Sequence, residues 1–153
     1  MRVLVACEFS GVVRNAFSVL GHDAWSCDFL PSETEGKHIR GNVLGILDNG
    51  WDLMIAHPPC TYLAVSGARW FSDRRKEQEE ALEFVRVLLN SQILQVCVEN
   101  PVSIISTKIR KPDQIIQPWQ FGCGETKATC LWLKNLPPLM CTVIDQGRIP
   151  RVH

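Results

Sequence analysis

The segment His57-Pro58-Pro59-Cys60 sets a thiol directly behind two prolines, and Val98-Glu99-Asn100-Pro101 sets a carboxylate at the end of an apolar run. Each proline lacks an N–H and has a fixed φ, so Pro58-Pro59 ends sheet pairing and stiffens the loop that carries Cys60. A thiol held there is either a nucleophile or, as most free cysteines are, a small inert hydrophobe. Glu99 is either an acid facing a pocket or an ordinary turn-stabilising acid at a strand end. If the runs ahead of them are neighbouring strands, thiol and carboxylate face one hollow, and nucleophilic addition assisted by an acid becomes the chemistry to expect.

The apolar pattern predicts the elements that must position them. Residues 2–7 (RVLVAC) form a run of the kind buried on both faces of a sheet. After Ser10-Gly11, residues Val12, Val13, Ala16, Phe17 and Leu20 recur at helical spacing, with Gly21 as the stop. Residues 23–28 read as a second strand, 31–36 as loop, and 51–56 as a strand ending at the prolines. Residues 73–89 form a helix with Leu82, Val85, Leu88 and Leu89 on one side and Ser72 or Asp73 as cap. Residues 93–99 return as strand, the stretches at 111–113 and 121–124 are turn-like, and 128–133 is the last strand. Strands alternating with helices predict a three-layer α/β domain with a mostly parallel sheet. Ligands in such sheets sit beyond the carboxyl ends of the strands, which directs attention to loops 7–11, 28–33, 41–43, 57–67 and 99–101.

Composition narrows the function classes. The 153 residues suit one domain, and 46% hydrophobic with 21% charged residues is the balance of a globular protein. Formal net charge is zero, so a nucleic-acid surface has to be a local patch. Seven cysteines without a CxxC pair and an opening MRVLVACEF predict a reduced, cytoplasmic setting without a disulfide framework, and no run approaches the length of a membrane span. Neither GxGxxG nor GxxxxGK[ST] occurs, which disfavours dinucleotide and triphosphate enzymes. His57 with Cys60, or Cys123 with Cys130, lacks the spacing of zinc sites, so no metal is expected.

The order FSG (9–11), Ala16-Phe17 with Leu20-Gly21-His22, SCD (26–28), GNV (41–43), PPC (58–60) and VENP (98–101) resembles the C5-cytosine DNA methyltransferases, in a compact form similar to short methylase-like proteins of bacteriophages. The resemblance spans roughly residues 3–101, with a weaker echo to about 133. It implies a single S-adenosylmethionine-dependent methyltransferase domain over 1–153 with a Rossmann-like fold, S-adenosylmethionine as cofactor and DNA as substrate. By the same resemblance Cys60 is the nucleophile that adds to cytosine C6, and Glu99 the acid on ring N3 and the exocyclic amine. Phe9, Ser10 and Gly11 flank the methionine end, Asp28 takes the ribose hydroxyls, Asn42 reaches the adenine edge and Pro58 borders the cofactor. Asn100, Lys127 and Arg69 fall to the substrate. Arg69, Trp70, Arg74, Arg75 and Lys76 either contact phosphates and stack on a base or form a solvated first helical turn.

The chain departs from the family pattern at definite places. Gly11-Val12-Val13-Arg14 lacks the further glycines of the family's cofactor loop, and Asn42 stands where an acid is expected. No Gln-x-Arg-x-Arg strand occurs; Lys127, within 124–129, is the cation nearest its place. A target-recognition region is not expected within 153 residues, so recognition would fall to a protein partner. RNA or a nucleotide as substrate, or a non-catalytic scaffold that keeps the fold, remain the alternatives.

Overall fold

Pleat alternation in the short apolar strands decides the layering. The computed structural model describes residues 1–66 and 74–142, so Arg69, Trp70, Ser72 and Asp73 lie outside the described residues. β1 (Arg2–Ala6), β2 (Asp23–Asp28), β3 (His38–Arg40), β4 (Leu53–Ala56), β5 (Gln95–Pro101), β6 (Gln114–Ile116) and β7 (Thr129–Lys134) form one sheet ordered β3-β2-β1-β4-β5-β7-β6. The first five run parallel, while β7 is antiparallel to β5 and to β6. The expected mostly parallel α/β sheet is present.

On one face Val3, Val5, Ala24 and Leu53 pack with Val13 and Phe17 of helix α1 (Val12–Val19). On the other, Leu4, Ala6, Met54, Ala56, Val96 and Val98 pack against Leu82, Val85, Leu88 and Leu89 of α2 (Arg75–Leu89). Successive β1 side chains thus enter opposite cores, which is why the run 3–6 is apolar throughout and fully buried. Each such leucine or valine contributes roughly 1.5–3 kcal/mol by leaving water. A short α3 (Ile105–Lys108) follows β5 and buries Ile105.

Several boundaries differ from the sequence expectation. β3 and β6 span three residues each, too few for a period-2 pattern to register. Cys7 falls outside β1 because its φ of 59° turns the chain out of the sheet. β5 runs on through Asn100 to Pro101 because β7 pairs with it along that whole length, to the partners Pro101 and Thr129. The helix expected from residue 73 begins at Arg75, with Arg74 as its N-cap residue.

Candidate active site

Register places Glu99 beside the double-proline loop. Ala56 pairs with Val98 across β4 and β5, so the next residues lie side by side, His57 where β4 ends and Glu99 where β5 continues along β7. His57 Nδ1 lies 3.0 Å from Glu99 Oε2. The His57 amide still donates to the Ala6 carbonyl at 2.9 Å, and pairing stops at Pro58. Pro58 is buried and its carbonyl accepts from Asn100 Nδ2 at 2.8 Å, a strut between the two strand exits. Asn100, the side chain expected to meet substrate, is 1% exposed and holds the loop that carries the thiol.

Cys60 opens a turn: its carbonyl accepts from the amides of Leu63 and Ala64, both at 2.9 Å. Tyr62, two residues on, receives Gln78 Nε2 on its carbonyl at 3.2 Å and the Arg74 guanidinium over its ring at 5.6 Å. The Cys60 residue is exposed, unlike Cys7, Cys27, Cys97 and Cys130. Burial, then the Asp28 carboxylate, pushes the Cys7 thiol up to about 12 and the Cys27 thiol to about 11. Burial, then Glu99, pushes Cys97 up to about 12. These thiols stay protonated and inert at neutral pH.

Two hollows lie along the carboxyl ends of the strands. The larger, about 530 Å³, is lined by Asp28, Phe29, Asn42, Pro59, Tyr62 and Phe84, with Glu77 and Glu80 on its α2 side. The smaller, about 230 Å³, is lined by Glu8, Phe9, Ser10, Val12, Val13 and His57. Cys7 borders both. Asp28 Oδ1 accepts from the Leu30 amide at 2.9 Å, and Asn42 Oδ1 accepts from the Leu44 amide at 3.0 Å, which leaves the Asn42 amide nitrogen to donate. Of the expected cofactor residues, Asp28 and Asn42 share the larger hollow and Phe9 and Ser10 the smaller. Pro59 rather than Pro58 forms the wall.

Gly11 has a structural duty beside the cofactor role that the resemblance implies. Its φ is +75°, and a Cβ there would lie 2.1 Å from Thr34 Oγ1 and 2.5 Å from Arg14 Nη2. The close approach it permits is to the chain's own loop. Arg14 is fully buried and donates to Ser26 Oγ, Ser32 Oγ, Thr34 Oγ1 and the carbonyls of Thr34 and Glu35, strapping residues 32–35 onto α1. The buried Glu8 carboxylate accepts from the amides of Val13 at 2.7 Å and Arg14 at 3.2 Å, closing the N-terminus of α1 that Gly11 leaves uncapped. Sequence reasoning passed over Glu8 and Arg14; an acid just before the loop and an arginine among the apolar helix positions were the available signals.

The β5–β7 ladder brings in Lys127. Thr129 pairs with Pro101, so Lys127, exposed and two residues earlier, lies at the same edge of the sheet as Glu99. Arg69 lies outside the described residues.

No protein-family model and no curated protein matches the chain. Among solved structures, one assigned as a DNA modification methyltransferase encoded within an E. coli prophage superposes with a TM-score of 0.53 over 87% of this chain. The chain has a methyltransferase fold. Identity to that structure is 14%, and the match spans 46% of its length, so the chain corresponds to about half of it. In this Rossmann-like methyltransferase fold both hollows sit beyond the carboxyl ends of the parallel strands, where such sheets receive ligands. Among the described residues no group of three or more His, Cys, Asp or Glu is placed to hold a metal ion, and no helix is long and apolar enough to cross a membrane.

Proposed function

We propose that the chain is an S-adenosylmethionine-dependent methyltransferase acting at C5 of cytosine in DNA, with Cys60 as nucleophile and Glu99 as the base-orienting acid. The observation that carries this reading is a shared loop: the turn that bears Cys60 also walls the larger hollow through Pro59 and Tyr62, while Glu99 reaches His57 at the base of the same loop.

The residues present fit the cofactor. Asp28 offers a carboxylate to ribose hydroxyls, the Asn42 amide nitrogen donates to a purine acceptor, and Phe29, Tyr62 and Phe84 supply apolar walls. The buried Glu8 carboxylate, beside Phe9 and Ser10 in the smaller hollow, suits an ammonium group. When bound there, the cofactor supplies an electrophilic methyl group.

Cytosine C5 is a weak nucleophile until a thiolate adds at C6. Cys60 sulfur forms the C6–S bond, and the ring electrons move toward C5 while Glu99 stabilises the change at N3 and the exocyclic amine. With the cofactor bound, C5 would take its methyl group as the methyl–sulfur bond breaks and the demethylated thioether is left; the C5 proton would then leave to a base, and its bonding pair would expel the Cys60 thiolate. Reaching C5 within a duplex requires the base to swing out of the stack. Exposed Arg74, Arg75, Lys76 and Lys127 provide phosphate-facing charge.

The test is trapping. A 5-fluorocytosine oligonucleotide with S-adenosylmethionine should give a covalent adduct on Cys60 by mass spectrometry and none with Cys60→Ser. An adduct with RNA or free nucleotide but not with DNA would move the substrate class; no adduct with any of them would leave a non-catalytic scaffold.

A further inference from the structure

His57 is the residue that touches both halves of the site, and its chemistry is unspent on one side. Its Nδ1 meets Glu99 Oε2 at 3.0 Å, its Nε2 is buried without a hydrogen-bond partner among the described residues, and the residue lines the smaller hollow with Cys7, Glu8, Phe9 and Ser10. In the tautomer that donates from Nδ1 to this carboxylate, the neutral ring presents a bare lone pair at Nε2. Leaving such a buried acceptor unmatched is costly, and a ligand donor relieves that cost.

We propose that His57 is a positioning residue that links the smaller hollow to Glu99: Nδ1–H fixes the Glu99 carboxylate, and Nε2 accepts a hydrogen bond from a ligand ammonium or amine in the hollow at Phe9 and Ser10. Filling that hollow then locks the tautomer that holds Glu99. Coupling is reciprocal, so a base engaged by Glu99 strengthens the amine's hold on Nε2. The identity of the amine as the amino-acid arm of the methyl donor rests on the proposed function above.

Two measurements decide it. Imidazole ¹⁵N spectra of the ligand-free chain at a pH where the ring is neutral, with the His57 signal assigned by its loss in His57→Asn, should show hydrogen on Nδ1, moving to Nε2 in Glu99→Ala. Hydrogen on Nε2 in the unsubstituted chain overturns the proposal. Calorimetry with S-adenosylmethionine should then show about tenfold weaker binding to His57→Asn, whose amide replaces the Nδ1 donor but not the Nε2 acceptor, at matched thermal stability. Equal affinity in both chains overturns the ligand half. No binding to the unsubstituted chain, with the tautomer shift intact, rejects the methyl-donor reading and the ligand half together while upholding the bond to Glu99.

Discussion

The exits of β1 and β4 lie next to each other in the sheet and are built on opposite plans. Beyond β1 the chain spends its polar groups on itself: Glu8 closes α1, Arg14 straps loop 32–35, and Gly11 leaves room only for Thr34 and that guanidinium. Beyond β4 the backbone is stiffened by two prolines and one strut from Asn100, while Cys60 is exposed and Nε2 of His57 and Oδ1 of Asn100 have no hydrogen-bond partners among the described residues. Internally satisfied polar networks rigidify, whereas unmatched buried groups in a native site ask for a ligand or water. The first exit is chiefly a frame, with one side of it facing the smaller hollow, and the second a workplace.

Substitutions should separate the two. The largest effect is expected on the β4 side: Cys60→Ser should lower methyl transfer at least about a thousandfold while calorimetry finds cofactor affinity essentially unchanged; retained turnover breaks the assignment. On the β1 side the loss should appear in folding. Arg14→Met, which strands the acceptors of the strap, should lower the unfolding free energy by about 3 kcal/mol in urea titrations. Gly11→Ala should cost about 2 kcal/mol by the same measurement, from its left-handed φ and the Thr34 contact. A β1 variant that unfolds no more easily than the parent would erase the distinction.

Asn100→Ala is expected to sharpen it. Losing the bond to the Pro58 carbonyl should cost only about 1 kcal/mol in stability, yet it loosens the Cys60 loop, so adduct formation should slow more than folding weakens. The last effect is confined to alkaline pH. Folding holds the thiols of Cys7 and Cys97 near 12 and Cys27 near 11, above their ordinary 9.0, chiefly through burial. The neutral form is favoured in the folded state, so this stability is complete below 9.0 and drains away as pH rises toward 11–12. Denaturation midpoints should fall across that window, and less steeply in Cys97→Ala; an unchanged slope would show that Cys97 ionises no differently after unfolding.

Much of the frame was legible because it depends on local apolar pattern. Residues 3–6, the helix over 12–19 and the apolar side of α2 declare themselves by period. The thiol and the acid were legible too, since prolines and strand ends are local signals. That they approach each other was an expectation from neighbouring strands; the His57 to Glu99 bond was not, because it spans 42 residues and depends on register, which periodicity alone does not supply. Arg14 was hidden for a related reason. An arginine in a helical pattern looks solvated until loop 32–35 is folded over it.

The reversal of β7 has a bearing on engineering. Had the six residues 129–134 run parallel to β5, the segment feeding them would arrive at the far rim of the sheet, about 20 Å away at the usual rise per residue. Running backwards, they deliver the turn around Gly122 and Cys123, both exposed, to the rim that Glu99 occupies. Extra sequence grafted into that turn would sit at the rim of the sheet that Glu99 occupies without threading the sheet, which makes it a place to install a sequence-reading module.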